Sequence, residues 1–159
     1  MPTDVDPHET TVQQAREIVR SRRDDGIHCP CCDRYVKVYR RSITRSQVLF
    51  LAHLYRLARQ EANLAGVAPE VIRVDARDIK GQHMRGGDYA KLTLWGLVDS
   101  PADTPGLWRI NPKGVAWLYG DVSVDRYAHV VDGELLRYSG PRWSVHDAYR
   151  ETFRIQDIF

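Results

Sequence analysis

The strongest constraint on how this 159-residue chain can fold is the punctuation of residues 71–117, where short apolar segments alternate with turn formers. Val71-Ile-Arg-Val74 reads as a short strand from its β-branched content, and Asp75 is placed to cap a brief helix ending near Lys80. Residues 81–87 are a polar turn, and Asp88 can cap a second helix carrying Lys91, Leu92, Leu94 and Trp95 to about Leu97, with Gly96 at its fraying end. Leu97-Val98 and Leu107-Trp-Arg-Ile110 are short apolar segments joined by residues 99–106, dense in Asp, Ser, Pro and Gly, which predicts a hairpin with a flexible tip. Pro112 suits the first turn of a short helix bearing Val115, Trp117 and Leu118. Strand, helix, turn, helix, strand, loop, strand, helix is an order that narrows the fold more than any single residue does.

Around this segment the periodicities predict simpler elements. Val12, Ala15, Ile18 and Val19 share one stripe with Arg16, Arg20 and Arg23 opposite, so residues 11–23 form a helix ended by Asp24-Asp-Gly26. Tyr35-Val-Lys-Val-Tyr39 alternates as a strand and makes a small hairpin with the cysteine-bearing turn before it. The strongest helix opens at Thr44, with Gln47 as capping partner, and closes near Gly66; Phe50, Leu51, Leu54, Tyr55, Leu57 and Ala58 fill its apolar arc. Residues 127–131 and 134–138 flank Asp132-Gly133, a strong hairpin signal, and Ser144 with Asp147 opens a last short helix. The expected organisation is a tail and helix over 1–26, a cysteine knuckle and strand over 27–41, a core over 42–120, and a hairpin with a short helix over 121–159.

The order over 71–117, set on the long helix before it, is that of a winged helix-turn-helix, in which the second helix enters the major groove and the loop between paired strands lies along the backbone. Leu92-Thr-Leu-Trp-Gly-Leu-Val-Asp99 followed by Gly106-Leu-Trp-Arg-Ile-Asn-Pro-Lys-Gly114 resembles the recognition-helix and wing segment of winged-helix regulators. Asn111 stands where their pattern has Thr, and either residue can cap a helix. The larger arrangement, a Cys-Pro-x-Cys knuckle and a Lys-Val-Tyr-Arg-Arg strand joined to this segment and to a Tyr-rich hairpin, resembles a group of uncharacterised bacteriophage and prophage proteins over about residues 27–153. That resemblance implies a fold and a phage-type origin and no activity. The fold expected is α+β, a winged helix-turn-helix core with an N-terminal helix, a cysteine-knuckle β-hairpin and a C-terminal β-hairpin.

Double-stranded DNA is the partner such a core implies. The net charge is only +2, but between Arg34 and Arg59 there are seven basic residues and no acid. Candidate phosphate contacts are Arg40, Arg41, Arg45, Arg56 and Arg59, joined by Arg109 and Lys113 from the wing side. The helix over 88–97 has few groups for reading bases, since Asp88, Lys91 and Thr93 are its only polar side chains, so Gln82, His83 and Arg85 in the preceding turn join Lys91 as candidates. Asp88, Lys91 and Trp95 also share one side of the helix wheel. Facing outward, Trp95 would favour an interface with a host protein or with a second copy of the chain; facing inward, it is core.

All three cysteines fall within Cys29-Pro-Cys-Cys32, which is no disulfide framework and fits a reducing, cytoplasmic setting. Cys29-x-x-Cys32 is half of a zinc ribbon. Closing such a site would need His28, Cys31, His53, His83 or a second copy of the chain; the alternative is a remnant of a lost site with its thiols packed away. No nucleotide, phosphate-loop or zinc-protease signature nominates a cofactor, and His146-Asp147 specifies no triad, so no enzyme activity is expected. No apolar run spans a bilayer, and the start lacks the basic and apolar regions of a secretion signal.

Overall fold

A computed structural model describes residues 10–79, 87–100 and 103–159. The chain is α+β with antiparallel sheets and divides into two compact units, Met1–Arg41 with Tyr127–Tyr138, and Ser42–Arg126 with Ser139–Phe159. No helix of the described residues is long and apolar enough to cross a membrane.

In the first unit, α1 (Val12–Arg22) begins with a reciprocal cap in which Thr11 Oγ1 accepts the Gln14 N–H and Gln14 Oε1 accepts the Thr11 N–H. A two-stranded hairpin follows, β1 (Ile27–His28) against β2 (Tyr35–Val36), with the cysteines in its turn. The single strand expected over 35–39 is broken in two. Val38 turns its N–H to the Arg23 carbonyl (2.8 Å) and buries its side chain, so the ladder restarts at β3 (Tyr39–Arg41) in a different sheet. There β3 pairs with β7 (Val124–Val131) in the register Tyr39↔Val130, Arg40↔His129, Arg41↔Ala128, and β7 pairs with β8 (Glu134–Trp143). Asp132 and Gly133 both have positive φ (50° and 81°), the backbone a two-residue primed turn demands. The two strands are longer than the expected 127–131 and 134–138.

The second unit is organised by α2 (Arg45–Ala65), capped by Thr44 and Gln47 and ended by Gly66 in the left-handed region. Val48, Phe50, Leu51, Leu54 and Ala58 are fully buried, along with Leu92, Leu97, Ile110, Trp117 and Val145. Burial of large apolar side chains contributes roughly 1.5–3 kcal/mol each, which makes this cluster the main stabilising element. Gln47 is also buried, and its Nε2 donates to the Asp88 carbonyl at 2.7 Å. Its two roles, helix cap and clamp on residue 88, explain why an amide is tolerated in the core.

Beyond α2, a 3₁₀ turn (Pro69–Val71) replaces the first half of the strand expected at 71–74; only β4 (Val74–Asp75) is extended. The Asp75 carboxylate then accepts the Arg77 N–H at 2.9 Å, and residues 77–79 are helical. The helix expected from Asp88 is a 3₁₀ helix (Asp88–Trp95) with Gly87 as N-cap and no side-chain cap; Asp88 pairs with Lys91 instead. Gly96 ends it at φ 67°. β5 (Val98–Asp99), β6 (Leu107–Ile110) and β4 form a sheet of order β4-β6-β5, in the registers Val74↔Trp108 and Val98↔Ile110. Helix α3 (Pro112–Leu118) starts at Asn111, and α4 (Val145–Tyr149) at Ser144 with its reciprocal partner Asp147. Gly114 in α3 is dictated by contact: a Cβ there would lie 2.2 Å from the Leu97 carbonyl oxygen.

Candidate nucleic-acid interface

The residues singled out for DNA contact meet very different fates. Gln82, His83 and Arg85 lie outside the described residues. Lys91 is half-buried and tied to Asp88 one turn earlier. Arg109, on the central strand β6, faces Asp99 across the ladder at 3.4 Å. Lys113 reaches back so that Nζ donates to the Trp95 carbonyl at 2.7 Å. Asn111 Nδ2 donates to the Gly96 carbonyl at 2.7 Å while its Oδ1 accepts the Gly114 N–H at 2.8 Å. Lys113 and Asn111 therefore close the C-terminal end of the 3₁₀ helix, where carbonyls point outward and a cation is favoured. Trp95 faces inward: it is 2% exposed and its Nε1 donates to the Asp125 carbonyl at 2.8 Å. Thr93, whose hydroxyl donates to the Ala90 carbonyl, is the exposed polar residue left on this helix beyond the Asp88–Lys91 pair.

The remaining candidates are divided between the units. Arg40 and Arg41, on β3, lie over the rings of Tyr127 (4.3 Å) and Tyr39 (5.1 Å). Next to Arg40 on the ladder, burial first and then the Arg137 and Arg40 guanidiniums hold the His129 imidazole below its usual range. In the other unit, Arg56 and Arg59 line a shallow groove of about 270 Å³ with Gln60, Asn63 and Phe159; Arg59 lies 4.8 Å from the Phe159 ring centre. No carboxylate pairs with these four arginines among the described residues.

Arg45 leads to a site that the sequence did not disclose. The N-terminus of α2 opens into a cavity of about 550 Å³ lined by Ser42, Thr44, Arg45 and Ser46, and by Arg126, Trp143, Asp147 and Arg150 from distant parts of the chain. Arg126 stacks on the Trp143 ring at 4.3 Å. Arg45 stacks on Tyr149 (3.9 Å), donates to the Tyr149 carbonyl (3.2 Å) and pairs with Glu151. The first turn of α2 contains no acid, so its N–H groups add to the three guanidiniums. The one carboxylate in the lining, Asp147, is held below the usual carboxylate range by the Ser144 N–H and hydroxyl, at 2.8 Å each. Three cations, three hydroxyls and a helix N-terminus around one cavity suit an oxyanion such as a backbone phosphate. Arg126 and Arg150 carry no local sequence signal, since only the fold brings them to Arg45.

Cys29, Cys31 and Cys32 are free thiols in the β1–β2 turn. The backbone N–H groups of Cys31 and then Cys32 hold the Cys29 thiol below its usual range. Among the described residues no group of three or more His, Cys, Asp or Glu is arranged to hold a metal ion. Comparison of the chain with protein-family models, curated proteins and solved structures finds no match.

Proposed function

We propose that this chain is a small, non-catalytic DNA-binding protein of phage type, a winged-helix regulator that holds duplex DNA mainly by its phosphates. The observation that carries the reading is connectivity: α2, then β4, a helical turn, the 3₁₀ helix, β5, a loop and β6, with β6 central in the sheet. In this reading the 3₁₀ helix faces the major groove, the loop between β5 and β6 follows the backbone, and the cavity at the start of α2 receives a phosphate. Sequence selectivity is weak, because Lys91 is neutralised by Asp88 and Thr93 is a poor base reader.

The same poverty of the 3₁₀ helix favours a second reading, a protein-interaction module on the same scaffold that engages a host protein. A salt titration with a labelled mixed-sequence duplex separates the two. Phosphate binding gives affinity that falls steeply with salt, the logarithmic slope growing by about 0.9 for each contact. Absence of binding at low salt rejects the DNA reading and leaves the interaction module.

A further inference from the structure

The first unit leaves part of its apolar surface uncovered. Val12, Ala15 and Val19 of α1, Val36 of β2 and Val131 of β7 line a cavity of about 410 Å³ that lies wholly within this unit. Of the five only Ala15 is buried; Val19, Val36 and Val131 are half-buried and Val12 is 62% exposed, so the cavity presents apolar surface that the unit itself does not cover. Its volume falls in the range of small-molecule sites, roughly 300–1,000 Å³.

Arg16, Arg20 and Arg23 line the same cavity. At about 100° per residue, an arginine directly after Ala15, another directly after Val19 and a third four residues beyond Val19 stand beside the apolar stripe of α1 rather than opposite it. Among the described residues no carboxylate pairs with any of the three, whereas Arg34, the fourth arginine of the lining, is matched by Asp132 at 2.9 Å. The lining therefore combines valine side chains with three positive charges that the protein leaves over. An inorganic anion would leave the valines in water, a neutral apolar molecule would leave the guanidiniums unmatched, and a cation would be repelled.

We propose that this cavity binds a small amphipathic anion, an aliphatic or aromatic body that ends in a carboxylate. The body covers the valines of α1, β2 and β7, and the guanidiniums of Arg16, Arg20 and Arg23 take the carboxylate, whose two oxygens match their forked N–H groups.

The test titrates the full-length chain with sodium decanoate below its micelle concentration, followed by calorimetry. Sodium acetate, decanol and decyltrimethylammonium serve as ligands that lack the chain, lack the charge or reverse it. Decanoate should bind saturably, one per chain, at least about tenfold more tightly than decanol, with no measurable binding of acetate or of the cation. Bound decanoate should slow alkylation of Cys29, which is half-buried and lines the cavity, as read by peptide mass mapping. The exposed pair Arg16→Gln with Arg20→Gln should weaken decanoate about tenfold and leave decanol unchanged, and added salt should narrow the gap between the two ligands. Arg126→Ala, in the cavity at the start of α2, should alter neither. Decanoate binding no tighter than decanol, binding without saturation, an unprotected Cys29, or a loss caused by Arg126→Ala instead of the α1 pair each overturns the proposal. The wild-type ligand series decides the matter even where a variant fails to fold. No DNA enters the assay, so this proposal and the functional reading fail independently.

Discussion

The start of α2 and the 3₁₀ helix Asp88–Trp95 are both polar-faced segments of the second unit, yet they use their cations in opposite ways. Around the 3₁₀ helix each cation is absorbed by the scaffold: Lys91 by Asp88, Lys113 by the Trp95 carbonyl, Arg109 by Asp99. Around the start of α2, three guanidiniums share one open cavity with a single lining carboxylate, Asp147, and Arg45 pairs besides with Glu151. A positive residue contributes to ligand binding only by the charge that internal bonds leave over. The contrast predicts that substitutions in the first region change stability and substitutions in the second change binding.

The largest effect tests the scaffold side. Trp95→Ala empties a nearly fully buried site and abandons the Asp125 carbonyl, which should cost about 3–5 kcal/mol in urea unfolding. Gly114→Ala, pressing a methyl group against the Leu97 carbonyl, should cost about 1–3 kcal/mol. The contrast breaks if either variant, still folded, loses DNA affinity without losing stability.

On the binding side, Arg45→Ala, Arg126→Ala and Arg150→Ala should each flatten the logarithmic salt dependence of duplex binding by up to about 0.9, with the triple variant close to the sum. Lys113→Ala should leave that slope unchanged and cost about 1 kcal/mol of stability, since it removes a hydrogen bond and a cation from a helix C-terminus. A flattened slope for Lys113→Ala would place it on the DNA after all.

What was legible in the sequence was local. Thr44 with Gln47, Ser144 with Asp147 and Asp132-Gly133 act through partners no more than three residues away, and each forms the cap or turn expected of it. What was not legible depends on distance. Nothing near Lys113 in the sequence indicates that its ammonium closes the end of the 3₁₀ helix, and nothing near Arg150 indicates that it shares a cavity with Arg45 and Arg126. The strand expected over 35–39 failed for a similar reason: its alternation is real, but Val38 answers to the Arg23 carbonyl and not to the ladder. The Asp88 carbonyl that opens the 3₁₀ helix likewise takes a long-range bond, from Gln47, that no propensity encodes.

The smallest predicted effect sharpens the comparison most, because it alters one charge and no packing. Glu151 holds Arg45 and is exposed, so the pair adds little to stability. Glu151→Gln keeps the shape of the side chain and releases the guanidinium to an incoming phosphate. Duplex affinity at low salt should then rise by a factor of up to about five, and the gain should fade as salt screens the phosphate. The corresponding release on the scaffold side, Asp99→Asn beside Arg109, should bring no such gain if Arg109 serves the β5–β6 ladder alone. Equal gains from the two substitutions would mean that both regions face the DNA and that the distinction between them is one of degree.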